Sequence, residues 1–231
     1  MLIIVGAIVA AGAFFVLEVC TVRDVEVEGN VLYDDETIKN TVLNDKFSTN
    51  TLYVFFKNKF SKGEEMPFVD SVEISVSLPH KVHITVYEKG MLGYVYVDSM
   101  GQNAYFDKDG IVVEISEKKI KDVPIIKGMS IDEVVLFEKL PADDVMLDTL
   151  LNITRSLEKF ELVPSSIDVS DSDNMKLKFG KITVEFGDEE YLNEKMTRLS
   201  YILGELKGKK GTLYMDFWSP DTTDIVFSED K

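Results

Sequence analysis

Few side chains in this sequence could carry out chemistry. Two histidines and one cysteine supply all the imidazole and thiol groups in 231 residues. His80 and His83 form an H-x-x-H motif, but residues three apart on a strand face opposite sides, so the pair cannot bind one metal ion together. Zinc also needs three or four protein ligands. The single Cys20 excludes an internal disulfide and a cysteine-based zinc site.

Three aspartates hint at calcium without completing a known motif. Asp168, Asp171 and Asp173 are spaced like the start of a calcium-binding loop. An EF-hand loop that begins at Asp171 would need Gly and Glu at the positions of Lys176 and Ile182. No G-x-S-x-G, P-loop or Rossmann glycine pattern occurs. We therefore predict no catalytic residue, no metal site and no cofactor, and hence a protein that is not an enzyme.

The composition excludes several classes of protein. There are 41 acidic residues against 25 basic ones, which gives a net charge of −16. Such an excess argues against nucleic-acid binding, because phosphates are neutralised by Lys and Arg. The chain is 45% apolar and 29% charged. These fractions are enough to build a core, and they exclude both a multi-span membrane protein and a disordered chain.

The N-terminus predicts a membrane anchor. Residues 1–17 carry no charge, and Glu18 is the first charged residue. Extended to Val22, this segment would span roughly 33 Å as a helix, enough for the hydrocarbon core. A cleaved signal peptide would need a basic start and a small-residue cleavage site, and no Lys or Arg precedes Arg23. We expect residues 1–21 to be an uncleaved transmembrane anchor.

The charges beyond the anchor predict its orientation. Residues 18–36 contain seven acids and one base, Arg23, so this flank is weakly retained in the cytosol. Everything after residue 22 is then expected outside the cytoplasm. A basic cytoplasmic segment is either missing from this protein or encoded upstream of Met1.

The anchor leads into two predicted modules that together make an α+β protein. Residues 22–89 read as β-α-α-β-β, with an alternating strand at 24–28 and a clear hairpin over 71–87. Residues 90–227 read as a mixed module of hairpins and two amphipathic helices, the second capped by Asp188. It ends with strands at 212–217 and 224–227, and residues 228–231 form a short tail.

Four stretches resemble one family of bacterial proteins. They are VRDVEVEGN (Val22–Asn30), FVDSVEISVSLPHKVHITVYEKG (Phe68–Gly90), VDSMG (Val97–Gly101) and VPIIKG (Val123–Gly128). In order and spacing they are similar to the FtsQ/DivIB cell-division proteins. The resemblance implies a transmembrane helix (1–21), a POTRA domain (22–89) and a β domain (90–227).

The same resemblance implies a non-enzymatic scaffold of the divisome, single-pass in the cell membrane at the septum. Its partners would be the bitopic proteins FtsB/DivIC and FtsL, and it would help to recruit and control the septal peptidoglycan synthase. The β domain would offer its C-terminal edge strand to a partner strand. The residues expected to bind are Tyr214, Asp216, Phe217, Trp218, Asp224, Ile225, Val226 and Phe227.

Three alternatives to this interpretation stay open. In the first, Ile225 and Phe227 simply complete the core and bind no partner. Separately, Trp218 stands where the family has a basic residue, so a charge-based contact is not expected at that position. The chain could instead be a membrane-anchored hydrolase or metal-binding protein of the cell envelope, which would need a nucleophile–base set. A POTRA-bearing transport factor would need a barrel or several POTRA copies.

Overall fold

The chain folds into two units, residues 1–89 and residues 90–231. The computed structural model describes residues 2–60, 65–171, 173–222 and 225–230. Both units contain one β-sheet with helices packed against it. The α+β class expected from the sequence pattern is therefore present.

The N-terminal segment is helical but shorter than the predicted anchor. Helix α1 covers Leu2–Phe14 and continues into a π-helical segment, Phe15–Val19. Large apolar side chains on α1 face outward, among them Ile3, Ile4 and Ile8. Within the described residues, no helix combines the length and the apolar character that crossing a membrane requires.

The rest of the first unit has the predicted β-α-α-β-β order. Strand β1 (Asp24–Glu28) is followed by helices α2 (Asp35–Val42) and α3 (Thr51–Phe60), then by strands β2 (Val69–Ser77) and β3 (Lys81–Glu88). The sheet order is β1-β3-β2, with β1 parallel and β2 antiparallel to β3. The predicted hairpin is the β2–β3 pair.

Alternation along the strands explains why this sheet buries one face. Val82, Ile84 and Val86 of β3 are buried, and they share a core cluster with Ile38 of α2 and Val54 of α3. The residues between them on β3 point to the other face, because successive strand side chains alternate. A sheet with one apolar face requires a cover, and α2 and α3 provide it.

The described part of the second unit contains nine strands in one sheet and two helices. The strands are β4 (Gly93–Val97), β5 (Gln102–Phe106), β6 (Val112–Ser116), β7 (Ile125–Lys127), β8 (Ser166–Asp168), β9 (Met175–Phe179), β10 (Ile182–Gly187), β11 (Gly211–Tyr214) and β12 (Val226–Glu229). Their order is β12-β11-β10-β9-β8-β7-β4-β5-β6. Helix α4 spans Asp144–Lys159 and helix α5 spans Leu192–Glu205.

The helices bury their apolar faces in the core of the second unit. Asp143 caps α4 by accepting hydrogen bonds from the backbone N–H groups of Val145 and Met146. Leucines of α4 at 147, 150, 151 and 157 are buried, as are Met196 and Leu199 of α5. Each buried leucine contributes roughly 1.5–3 kcal/mol of transfer free energy. The predicted amphipathic helices are therefore present, and they share one core with the sheet.

The start of α5 differs from the sequence expectation. Asp188 does not cap the helix: its N-cap is Tyr191, in a left-handed conformation with no side-chain cap bond. Asp188 instead accepts a 3.0 Å bond from the ammonium group of Lys195, which is only 1% exposed. Lys195 also donates to the carbonyl oxygens of Phe186 (3.3 Å) and Asp188 (3.1 Å). This buried cation ties α5 to the end of β10.

The three hydrogen bonds that the Lys195 ammonium group makes to Phe186 and Asp188, which we call the Lys195 clamp, should therefore contribute to stability. We expect Lys195→Met to lower the free energy of unfolding of the second unit by about 1–3 kcal/mol, because Phe186 and Asp188 lose a charged donor. Lys178→Met, at an exposed position on β9, should change it by less than about 0.5 kcal/mol. Denaturant unfolding followed through Trp218, the single tryptophan, measures the second unit. Equal midpoints for the two variants would contradict the clamp.

Asp45 organises the segment between α2 and α3. Its carboxylate accepts from the backbone N–H of Phe47 (2.8 Å) and from the hydroxyl of Tyr53 (3.1 Å), and it pairs with Lys57 at 2.9 Å. The bond from Lys57 is the main cause that lowers the pKa of Asp45 from 3.8 to about 2. The charged carboxylate is thus the form that stabilises this segment.

The stability of the first unit should depend on this carboxylate in acid. Because the folded-state pKa lies below the unfolded one, the stabilisation is complete above about pH 4 and is lost as the pH falls towards 2. We expect the difference in stability between the wild type and Asp45→Asn to shrink over that interval. Amide signals of α2 and α3 during thermal unfolding at several pH values measure it. A constant difference would rule out this role.

Candidate partner-binding edge

The last strand of the chain lies at one end of the nine-stranded sheet. β12 pairs antiparallel with β11, with Thr212 opposite Ser228 and Tyr214 opposite Val226. No other described strand pairs with its second side. β12 therefore presents a row of backbone groups that a further strand could pair with.

The register decides which of these groups face outward. The N–H of Asp230 donates to the carbonyl oxygen of Lys210 at 2.9 Å, so these two residues form a hydrogen-bonded pair. Such pairs alternate along an antiparallel ladder, which assigns Ser228 and Val226 to bonds with β11. The backbone N–H and C=O groups of Phe227 and Glu229 consequently point to the open side.

The two strands approach each other closely at Gly211. A Cβ atom at this position would lie 2.1 Å from the carbonyl oxygen of Ser228. Only glycine leaves room for that approach, so Gly211 helps to hold β12 in place.

The predicted last strand needs a correction of its bounds. The sequence predicted strand residues 224–227 and a tail at 228–231, but the strand is Val226–Glu229, so two of the tail residues belong to it. Ile225 precedes the strand and packs, half-buried, against the core. Asp224 lies outside the described residues. Because the strand is shifted, Glu229 joins the edge, a residue that the sequence pattern did not single out.

Three predicted residues at or near this edge have exposed apolar side chains. Tyr214 and Val226, which face each other across the two strands, are 44% and 57% exposed. Phe217 is 85% exposed at a turn, where the N–H of Trp218 donates to the carbonyl oxygen of Met215. We call Tyr214, Phe217 and Val226 the edge patch. Exposed aromatic side chains of this kind are typical anchors in protein interfaces.

Phe227 points to the opposite face from the edge patch. Its ring packs half-buried against the core, and the ammonium group of Lys209 lies 6.0 Å from the ring centroid. The side chain of Phe227 therefore packs on the core, as the alternative interpretation expected. Its backbone N–H and C=O groups still face the open side of β12.

Trp218 and Asp216 are placed differently from the prediction. The predicted strand 212–217 ends at Tyr214, because the chain turns at Met215. Trp218 is 5% exposed and packs against Tyr191 and, at 4.8 Å, against the guanidinium of Arg198. It is therefore buried and not available as a contact residue. Its indole nitrogen and one carboxylate oxygen of Asp216 are buried without a hydrogen-bond partner among the described residues.

A basic, partly apolar cavity lies near the same end of the sheet. It has a volume of about 360 Å³ and is lined by Ile182, Leu203 and Leu206 together with three lysines, Lys181, Lys207 and Lys209. In a chain of net charge −16, this local concentration of positive charge favours an acidic partner.

The histidines make ordinary hydrogen bonds in the first unit. One ring nitrogen of His80 lies 2.9 Å from the carbonyl oxygen of Thr21. His83 lies 3.0 Å from the carboxylate of Glu26 and 3.3 Å from the hydroxyl of Ser77. Among the described residues, no three His, Cys, Asp or Glu side chains are grouped as a metal ion would need.

The contacts of His83 form a Ser-His-Glu row that sequence reasoning missed. Glu26 lies directly opposite His83 on the neighbouring strand, 57 residues away along the sequence. The row lies on the open face of the three-stranded sheet, where Glu26 is about half exposed and also binds Lys81. Acyl transfer needs donors aimed at a developing oxyanion in a water-excluded site. An exposed sheet face does not supply that environment, so the row carries no assignment of activity.

Comparison with known proteins connects both units to cell division. Residues 20–89 match the family model "POTRA domain, FtsQ-type", and residues 95–217 match "Cell division protein FtsQ/DivIB, C-terminal". β12 lies beyond both matched stretches.

Curated relatives give the same result. The chain is 29% identical over 205 residues to "Cell division protein DivIB" of Clostridium botulinum strain Hall. The aligned residues make up 84% of this chain and 77% of the relative. It is 23% identical over 208 residues to the protein of that name from Clostridium tetani, with 85% and 76% covered.

Hydrogen exchange should report the register of the last strand. We expect the amides of Ser228 and Asp230 to exchange slowly, because they donate to β11 and to Lys210, and those of Phe227 and Glu229 to exchange at rates close to an unprotected chain. Exchange followed by NMR on the full chain measures this. Equal protection at all four amides would show that the edge is paired or that the register is different.

Proposed function

The chain belongs to the FtsQ/DivIB family of cell division proteins, and on this basis we propose that it is a non-enzymatic scaffold of the divisome that binds its partners through the β12 edge. The observation that carries the proposal is the open side of β12, with the backbone groups of Phe227 and Glu229 facing outward. A partner strand that pairs there would satisfy these groups and extend the sheet by β-augmentation.

Specificity would come from the side chains beside the backbone ladder. The incoming strand places alternate residues over the two faces of the sheet. On one face it would meet the edge patch, and on the other it would meet Phe227 and Lys209. Apolar residues on one side and acidic residues on the other would therefore complement the edge.

The partners we propose are the bitopic division proteins FtsB/DivIC and FtsL. A short extracytoplasmic segment of such a protein can supply one extended strand without a folded domain of its own. Through these partners the scaffold would help to recruit and control the septal peptidoglycan synthase. Its contribution is binding and positioning, for which no catalytic group, metal or cofactor is required.

We further propose that residues 1–21 anchor the scaffold in the cell membrane, with both units outside the cytoplasm. Supporting this, helix continues from Leu2 through Val19, and Ile3, Ile8 and Phe14 are each more than 60% exposed. Large apolar side chains in that position require a cover, which lipid would provide. Flotation of the full chain with lipid vesicles, compared with a chain that lacks residues 1–21, tests the anchor.

Two proline substitutions separate the open side of β12 from the paired side. Glu229→Pro removes a donor that faces outward, so partner affinity should fall about tenfold while stability changes little. Val226→Pro removes a donor that bonds to β11 and should lower the stability of the strand pair itself. Glu229→Ala controls for the loss of the side chain. Calorimetric titration of each variant with the extracytoplasmic segment of the FtsB/DivIC-type partner gives the affinities.

The edge patch offers a second comparison in the same titration. Phe217→Ser should weaken binding about tenfold, since an exposed aromatic anchor is lost. Tyr201→Ser, at a 76% exposed tyrosine on α5, serves as the matched control and should bind as the wild type does. Unchanged affinity for both Glu229→Pro and Phe217→Ser would overturn the proposed edge.

A further inference from the structure

Residues 16–22, at the end of the N-terminal helix, are hydrogen-bonded on one side to the start of α3. The backbone N–H of Val22 donates to the carbonyl oxygen of Thr49 at 2.8 Å, and that of Thr51 donates to Cys20 at 2.9 Å. The side chain of Asn50 donates to the carbonyl oxygen of Val16. Residues 16–22 are therefore bound along the N-terminus of α3 and do not form a loose linker.

The β2–β3 turn fixes the same segment on its other side. A ring nitrogen of His80 lies 2.9 Å from the carbonyl oxygen of Thr21, and the N–H of Arg23 donates to the carbonyl oxygen of His80 at 2.9 Å. The hydroxyl of Thr51 bonds to the carbonyl oxygen of Pro79 at 2.7 Å, which joins the two flanking elements. The end of the N-terminal helix and these two elements thus form one connected structure.

Large apolar side chains project from these flanking elements instead of packing inside. Phe47 is 55% exposed, Leu78 is 52% exposed and Tyr53 is 36% exposed. Phe47 and Tyr53 lie with their ring centroids 5.6 Å apart. We call Phe47, Tyr53 and Leu78 the exit surface, because each lies two residues from a residue that hydrogen-bonds to residues 16–22.

Two residues of the exit surface are held in place by a carboxylate, and a lysine lies beside one of them. Asp45 binds the backbone of Phe47 and the hydroxyl of Tyr53, so both residues are positioned by the same carboxylate. The ammonium group of Lys46 lies 4.9 Å from the centroid of the Phe47 ring. An exposed aromatic group with a lysine beside it is typical of residues that lie at the boundary between lipid and water.

We propose that the exit surface inserts into the headgroup region of the membrane and so holds the first unit against the bilayer. The proposal rests on the proposed anchor at residues 1–21, since the hydrogen bonds described above place Phe47 and Leu78 beside its outer end. Lipid would cover the apolar rings, and Lys46 would meet the anionic phosphates. The first unit would then stand at a defined orientation to the membrane and would not swing freely on its anchor.

Tryptophan substitutions in the full chain test this. Phe47→Trp and Leu78→Trp place a reporter on the exit surface, and Val31→Trp places one on an 87% exposed residue beyond the far end of β1. Each variant is reconstituted in vesicles of phosphatidylethanolamine and phosphatidylglycerol, with or without bromine near the headgroup end of the acyl chains. The signal of the native Trp218 is subtracted with the wild-type chain.

The expected result is strong bromine quenching and blue-shifted emission for Phe47→Trp and Leu78→Trp, with neither effect for Val31→Trp. If the vesicles float with the protein but the two exit-surface reporters behave like Val31→Trp, the inference is wrong while the anchor stands. If the wild-type chain does not float with the vesicles, the anchor fails, and the inference fails with it. Binding of the partner segment is measured separately and does not depend on either result.

Discussion

Every backbone amide and carbonyl group in a sheet must find a partner, and an open sheet leaves two rows of such groups at its ends. The nine strands described in the second unit form an open sheet, so β12 exposes the groups that its own ladder does not use. The short length of the strand limits this exposure to a few groups. The close approach at Gly211 keeps the strand attached to β11. The proposed function follows from this row of groups, which would pair with a partner strand of the right sequence and which bond to water when no partner is bound.

Local patterns were sufficient to predict the β-α-α-β-β order of residues 22–89. The alternation of Val72 to Val86 around one turn specifies a hairpin, because both strands and their connection lie within a few residues of each other. In the second unit the three-residue strands β7 and β8 lie side by side and in parallel, yet 38 residues and the helix α4 separate them. Ile167 and Val169 mark a strand in the sequence, but its neighbour in the sheet is not encoded nearby, so the parallel pairing could not be predicted.

The candidate site shows the same limit. Sequence reasoning placed the candidate edge at the C-terminus and named Tyr214, Phe217 and Val226, which are exposed. It also named Trp218, whose burial depends on Arg198 and Tyr191 from a different part of the chain. Tyr191 adopts a left-handed conformation. Tyrosine normally avoids this conformation, so the sequence gives no indication of it. The bounds of β12 were shifted by two residues because Ile225, Val226 and Phe227 are all apolar and do not mark where pairing begins. Burial of a charged residue such as Lys195 is likewise a tertiary effect that composition cannot reveal.

Cys20 has no exposed surface, and its backbone carbonyl oxygen accepts a hydrogen bond from the hydroxyl of Thr51 near the end of the N-terminal helix. A buried thiol in that position is shielded from oxidants and from other thiols. Its reactivity therefore depends on local opening: modification can proceed only when residues 16–22 detach from α3. The rate at which a thiol reagent modifies Cys20 would consequently report how often that detachment occurs, without a substitution in the chain.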